Sequence, residues 1–437
     1  MLARLNGKHQ SILNSVIYMS KKSIVLFFIF TLPVNIFAQI FRTPNELAPY
    51  ILNAPPIISR AAVLIDAHTG ALLYSKNPDV LIPPASLTKL MTMHLFMKEI
   101  DTGKISYDDL VEITVESWAQ SQPRNSSLMF LEPGQIVTVR EIMLGMAVPS
   151  GNDAAVAAAL HLAPTMAEFV DMMMAEARRM GMYTTRFTES SGISSRNRTT
   201  AAEYALFCRQ YIELHPDSLN DFHSVQSFSF PLAANMPANR RSNFRTYTQT
   251  NQNTLLGTFE GVDGLKTGYI GASGHNIALT AQRDQTRLIL VLLGAPVSAG
   301  GARLRSEEGS LLLSWAFDNF KTVYPVIDYS DDAGLFKAPL WKGKEDEVTL
   351  ILTESEIFTS HLDRADSLIY ETIISETLIA PLAAGAQVGY LCISDEYGVL
   401  AKKPLVTADA YEKGSFFKRI WHSIKLFFRK KNLSEQS

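Results

Sequence analysis

The sequence predicts an α/β protein: an antiparallel sheet flanked by helices, with a helical insert, then a small all-β domain and a C-terminal amphipathic helix. Three observations predict it. Strand-like runs at 61–74 and 255–294 bracket a long stretch, 86–211, in which apolar residues recur at helical spacing except over 104–140, which reads as mixed with a turn at Glu132 to Gly134. Beyond Pro325 helical patterns give way to short strand-like runs separated by Gly, Asp and Lys turns. The last segment, Tyr411–Lys431, opposes aromatic residues to cations.

The 437 residues suffice for two or three domains. An apolar share of 47% against a charged share of 19% suits a packed core and excludes overall disorder. A formal net charge of −3 offers nothing that would draw the whole chain to nucleic acid, and none is expected as a partner. Cys208 and Cys392 lie far apart, without metal-ligand spacing, so buried reduced thiols and no metal or cofactor are expected. Residues 1–38 read as an N-terminal extension and signal peptide. Lys21 and Lys22 precede an apolar run, Ile24 to Phe37, that is short for a membrane span and ends near the small residue Ala38. Met19, just before the lysines, is the expected translation start, and the protein is expected to be exported.

Taken in order, residues 39–58 read as an irregular lead. Residues 61–74 read as two strands around a turn from Asp66 to Gly70. Pro83 and Pro84 stiffen the entry to a helix that begins near Ser86, with Leu87, Leu90, Met91, Leu95 and Phe96 at helical spacing. Further helical patterns cover 139–146, 153–162, 166–180 (stopped by Gly181) and 199–211, and 212–250 reads as polar and irregular. Strands are expected at 255–264, 275–283 and 287–294, and a helix at 303–320. The β domain, 326–409, is expected to hold strands at 348–352, 368–375, 387–394 and 399–407. In the tail, 411–431, seven basic residues face a single acid, Glu412, and Phe416, Phe417, Ile420, Trp421, Ile424, Phe427 and Phe428 gather on one side. That pattern predicts a helix lying in the plane of a membrane surface, with a helix docked on the second domain as the alternative.

Three segments carry chemistry. Ser86 and Lys89 sit one turn apart on one face of a helix. Alone they read as a cap and a solvated lysine, and Ser415 to Lys418 repeats the spacing without meaning. Ser150 and Asn152 lie on a turn ahead of an Ala-rich helix, a tripeptide that Ser195 to Asn197 repeats in a different setting. Lys266, Thr267 and Gly268 end a strand pattern. The ordered set Ser-x-x-Lys, Ser-x-Asn, Lys-Thr-Gly is far more specific than any member.

With Ile65 to Tyr74, Pro83 to Thr92, Pro149 to Ala155 and Val262 to Gly268, the chain resembles the low-molecular-mass penicillin-binding proteins, in particular the serine-type D-alanyl-D-alanine carboxypeptidases. The resemblance covers about 45–325, and implies a β-lactamase/transpeptidase-like catalytic domain there. The β domain and basic tail also resemble that family's C-terminal half. It further implies removal of the terminal D-Ala from peptidoglycan pentapeptide stems through an acyl-serine, inhibition by β-lactam antibiotics, and a peripheral location on the periplasmic face of the cytoplasmic membrane. Ser86 would be the nucleophile, which needs a base. Lys89 would be that base if held neutral by burial and by a second cation, Lys266. Ser150 would relay a proton to the leaving amine, and Asn152 would hold Lys89 and a substrate amide. The strand ending at Lys266 would align the peptide, with Thr267 near its terminal carboxylate. The resemblance implies an oxyanion hole from the backbone N–H groups of Ser86 and Tyr269. Arg305 resembles a position that binds the substrate carboxylate, with Arg303 and Arg287 as competitors and an ion pair with Glu307 or Glu308 as the plain alternative.

The sequence departs from the pattern at Tyr269, often a histidine, and at Glu189, where an asparagine-like residue is common. A class A β-lactamase would need a glutamate where Pro216 stands, four residues before Asn220. A D,D-endopeptidase on cross-linked peptidoglycan, or a non-catalytic membrane-tethered wall-binding protein, are the remaining alternatives.

Overall fold

Every residue of the strand Ala61–Asp66 (β1) is buried, and its two faces enter different cores. Ala61, Val63 and Ile65 pack toward the helical insert, while Ala62 and Leu64 pack toward the opposite layer. A computed structural model describes residues 43–434 except 299, 325–335, 354–356, 366–367 and 375–376. The signal peptide reading and Pro325 lie outside the described residues.

After β1 come β2 (Leu72–Lys76) and the helices α1 (Thr88–Asp101), α2 (Val139–Ala147), α3 (Asn152–Leu162), α4 (Met166–Arg179) and α5 (Ala201–Leu214). Strands β3 (Val262–Ile270), β4 (Gly274–Arg283) and β5 (Thr286–Ala295) follow, then α6 (Gly301–Asn319). The sheet order is β2-β1-β5-β4-β3, antiparallel throughout. Helix α5 lies against one face and α6 against the other. Such two-sided cover explains the near-continuous apolar run of β5, whose residues are buried from Leu288 to Ala295.

Helix α1 is the axis of the insert. All ten residues from Thr88 to Met97 are buried, polar ones included, so the helix is enclosed on every side. Helices α2, α4 and α5 are capped alike: Thr138, Thr165 and Thr200 each accept a hydrogen bond from the backbone of a glutamate three residues on.

Four expectations need correction. Of the run 255–264, residues 255–261 are not strand. Gly257 and Gly261 take positive φ, and the Asn251 side chain folds the entry into a turn by accepting from the Asn253 N–H. Leu255 and Leu256 are buried because they pack beside α6, not because they pair. The strand starts at Val262 and runs past Lys266 to Ile270, so Lys-Thr-Gly occupies a strand interior rather than its end. The lead, from residue 43, is ordered: Leu47 is buried and Tyr50 stacks on His361 at 3.6 Å. The stretch 212–250 contains a paired ribbon, Ser227–Phe230 with Tyr247–Thr250.

The C-terminal region begins with β6 (Phe320–Val323), then β7 (Phe336–Pro339), β8 (Glu347–Leu352), β9 (Phe358–His361), β10 (Ile369–Ile374), β11 (Gln387–Asp395) and β12 (Gly398–Thr407). Its sheet runs β7-β8-β12-β11-β10, and β6 pairs with β9. Buried Asp66 ties this region to the first sheet. Its carboxylate accepts from the Thr322 hydroxyl at 2.7 Å, the Thr359 hydroxyl at 2.9 Å and the His68 N–H at 2.8 Å. Helix α7 (Phe416–Ser434) closes the described chain.

Replacing Asp66 by Ala strands these buried donors together. The substitution is expected to lower unfolding free energy by about 3 kcal/mol in urea denaturation; an unchanged transition would contradict the role given to Asp66.

Candidate active site

Ser86 lies in a tight turn, Ala85–Leu87, that runs directly into α1. Four contacts fix this turn. The Tyr204 hydroxyl donates to the Leu87 carbonyl, and the Asn276 amide donates to the Pro83 carbonyl at 2.9 Å. Gly192 and Gly268 press against it from two sides. A Cβ on Gly192 would fall 1.8 Å from the Ala85 carbonyl oxygen, and one on Gly268 would fall 2.8 Å from the Ser86 nitrogen. Both approaches exclude any side chain. Ala85 itself is held at φ +52 and Ser150 at φ +64, backbone states that L-residues avoid and that surrounding structure must enforce.

Lys89 is fully buried, and its Nζ stands 3.0 Å from Ser86 Oγ, 2.7 Å from Asn152 Oδ1 and 2.7 Å from the Ser191 carbonyl. A neutral amine has two N–H bonds and one lone pair. It can donate to Asn152 and Ser191 and accept the Ser86 O–H, which is the geometry of a base. Burial pushes its pKa down from 10.5 to about 7, against the pull of the Glu189 and Asp153 carboxylates. Burial is thus the cause that dominates for Lys89. Lys266 is also buried, donates to the Thr267 carbonyl at 3.0 Å, and is held well below its usual pKa by burial, by Lys89 and by Arg305.

A cleft of about 410 Å³ opens over this group, lined among others by Ser86, Ser150, Asn152, Thr267, Gly268, Tyr269 and Arg305. The Ser150 hydroxyl makes no hydrogen bond among the described residues and is left for a partner in the cleft. Tyr269 is half-exposed and stacks on His275 at 4.3 Å, so its ring forms the rim. Of the three arginines, only Arg305 lines the cleft. Arg287 pairs with Asp263 at 2.8 Å and Arg303 with Glu307 at 3.5 Å, while Glu308 accepts from the Ser59 N–H. Among the described residues buried Arg305 donates only two long hydrogen bonds, to the Asn276 and Gln252 carbonyls, and its Nε has no partner; burial lowers its pKa to about 10. Pro216 and Asn220 line a different depression, beside Arg209 and Arg287.

Sequence reasoning missed two carboxylates. Glu189 accepts from the Ser191 N–H at 2.7 Å, the Gly192 N–H at 2.8 Å and the Asn197 amide at 2.9 Å, which folds the loop that presents the Ser191 carbonyl to Lys89. Asp153 accepts from the backbone of Met129, Phe130 and Leu131 at 2.8 to 3.0 Å and so pins a loop beside the cleft. It also explains Gly151: a Cβ there would lie 2.7 Å from Asp153 Oδ1 and 2.8 Å from the Met129 nitrogen. Glu189 was visible only as a departure from a pattern, and Asp153 as the fourth residue of a motif.

Residues 49–297 match the family model described as D-alanyl-D-alanine carboxypeptidase, and residues 329–413 match the one described as penicillin-binding protein 5, C-terminal domain. The D-alanyl-D-alanine carboxypeptidase DacC of Escherichia coli K12 is 31% identical, over 90% of this chain and 94% of its own length. DacD of the same organism is 33% identical, over 86% and 92%. The crystal structure of penicillin-binding protein 5 from Haemophilus influenzae superposes with a TM-score of 0.71 at 28% identity, covering 83% of this chain and 99% of that one.

If neutral Lys89 is the base, the rate of serine acylation rises with pH through about 7 and levels above it. Lys89→Arg, charged at every accessible pH, is expected to lose roughly 10²- to 10⁴-fold in that rate. A flat profile between pH 5 and 9, or an active Arg variant, would exclude Lys89 as base.

Proposed function

The chain belongs to the D-alanyl-D-alanine carboxypeptidase family of serine peptidases, and on that premise we propose how its own residues carry the reaction. The activity is release of the terminal D-Ala of a peptidoglycan pentapeptide stem through an acyl-serine, with β-lactams acylating the same serine. The observation that carries the assignment of roles is the buried Lys89 amine 3.0 Å from Ser86 Oγ, with both remaining polar contacts supplied by Asn152 and Ser191.

In this reading Lys89 takes the Ser86 proton as the hydroxyl oxygen attacks the penultimate carbonyl. The backbone N–H groups of Ser86 and Tyr269 receive the oxyanion, each such donor typically worth ~3 kcal/mol of barrier. The close seat of Gly268 on the Ser86 nitrogen supports this pairing of segments. The proton then leaves Lys89 through the Ser150 hydroxyl, which takes it up as it gives its own to the leaving D-Ala amine; the C–N bond breaks and Lys89 is again neutral. Thr267 and Arg305, with Lys266 behind them, receive the terminal carboxylate. The buried Arg305, whose Nε has no partner among the described residues, supports its part. Water then attacks the acyl-serine, with Lys89 again as base, and restores Ser86. Strand β3 aligns the extended peptide.

We further propose residues 45–325 as the catalytic unit, 326–409 as the β domain and 411–431 as a membrane-associating helix on the periplasmic face. Among the described residues no helix is long and apolar enough to cross a membrane. What supports surface attachment is the tail's two-sidedness. Its opposite face docks on the β domain, where His422 accepts from the Lys342 N–H at 2.8 Å and Lys418 pairs with Asp346 at 2.9 Å. Phe416, Phe417, Trp421, Phe427 and Phe428 stay exposed, 57% to 82%. Docking and membrane contact therefore use different faces, and the two sequence readings of the tail are compatible.

Mass spectrometry of a D-Ala-D-Ala pentapeptide treated with the protein is expected to show free D-Ala, and Ser86→Ala is expected to abolish both that product and labelling by fluorescent penicillin. Absence of D-Ala, or labelling of Ser86→Ala, would overturn the reading. A chain ending at Glu412 is expected to stop sedimenting with vesicles rich in anionic lipid while keeping its D-Ala release; continued sedimentation would remove the tail's proposed role.

A further inference from the structure

One buried amide joins the segments that meet at Ser86. Asn276 lies on β4, fully buried, opposite Gly268 in the register of β4 with β3. Ile277 and Leu279 face the α6 side of the sheet, so Asn276 and Ala278 face the helical insert. The ladder with β5 is interrupted here. His275 pairs with Ala295 and Ile277 with Leu292, so Asn276 alone faces both Leu293 and Gly294, a β-bulge. Its side chain stands in for backbone at that point, where Oδ1 accepts from the Gly294 N–H at 2.8 Å. This fixes the amide's orientation, because a backbone N–H can only donate. Nδ2 is then free to donate to the Pro83 carbonyl at 2.9 Å, with the Ser273 hydroxyl as a second acceptor at 3.3 Å. Pro83 and Pro84 are buried and bring no N–H of their own, so the entry to the nucleophile turn lacks two backbone donors that could have fixed it. The Asn276 carbonyl meanwhile accepts from Arg305 Nη1 at 3.5 Å.

We propose that Asn276 is a positioning residue for the oxyanion hole. Its amide, through Pro83, holds the Ser86 N–H at a set distance from the strand that carries the Tyr269 N–H. Asn276 touches neither substrate nor the reacting atoms. The inference rests on the reading of those two N–H groups as the oxyanion hole. Pro83 stands three residues before Ser86, and Gly268 stands one before Tyr269. A single strand position therefore governs both donors: the register places Gly268, and the side chain places the turn that Gly268 presses against. The bulge is what permits this, since it leaves the Gly294 N–H to a side chain and so anchors the amide at its other end. Placement matters because a misplacement of about 1 Å in such a group costs roughly 10²-fold in rate.

The test uses the full chain. Acylation by a penicillin is followed up to saturation, and the infrared band of the acyl-ester carbonyl is recorded. Asn276→Asp keeps an acceptor for the Gly294 N–H and removes the donor to Pro83. Asn276→Ala removes the donor without adding charge. Both are expected to lower the limiting acylation rate at least roughly tenfold and to leave the penicillin concentration giving half that rate within about threefold. Both are expected to raise the carbonyl band toward that of the denatured acyl-enzyme, a change that lost stability alone does not produce. If the native band already equals the denatured one, the oxyanion-hole reading fails and this inference with it. If the native band is lowered but the Asn276→Ala band matches it, or Asn276→Ala acylates like native protein, the hole stands and Asn276 does not position it. If neither variant folds, Asn276 serves the fold alone and the inference is overturned.

Discussion

Everything about this catalytic centre depends on one constraint: an amine must sit without solvent beside a serine hydroxyl. Lys89 meets it because the whole first part of α1 is enclosed. Desolvation disfavours the ammonium and brings its pKa to about 7. The folded state therefore holds fewer protons at Lys89 than the unfolded chain between about pH 7 and 10.5, so this group's contribution to stability improves as pH rises across that window. At neutral pH the site is kept at a cost to the fold. Glu189 and Asp153 oppose the shift electrostatically, yet both are needed to shape the loops around the amine. Their placement is a compromise between holding backbone and leaving Lys89 neutral.

The constraint reaches outward through close approaches. The nucleophile turn, the loop ending at Gly192 and strand β3 at Gly268 meet so tightly that no Cβ fits at either glycine. Strand β3 is in turn fixed by its register with β4 and by His223, which bonds the Leu265 carbonyl at 3.1 Å. Burial drops the His223 pKa to about 3, so the ring is neutral, and with the Tyr211 hydroxyl 2.8 Å from Nε2 it is placed to donate from Nδ1 to that carbonyl. The residue bonded is the one preceding Lys266. Core packing, sheet register and the cation pair are thus parts of a single arrangement.

Much of this was legible in the sequence. Ser86, Lys89, Ser150, Asn152, Lys266 and Thr267 were picked out by type and order, and the structure gathers them around one cleft. Helices with apolar periodicity were legible for the same reason: the signal lies within a few residues. What was missed acts across longer separations. Glu189 and Asp153 work by accepting from backbone N–H groups, which any sequence offers everywhere. The run 255–264 looked like a strand because burial and pairing both select apolar residues, and only the glycines at 257 and 261 hinted otherwise. Choosing Arg305 over Arg303 and Arg287 required knowing which acids the other two meet. The docking of the tail through His422 depends on the Lys342 N–H 80 residues earlier and had no local mark.

The most direct test of the central constraint is an NMR titration of the Lys89 side chain, selectively labelled, in the Ser86→Ala protein. The account predicts a midpoint near 7, far below the ordinary 10.5. A Lys89 amine that stays protonated up to pH 10 would contradict it.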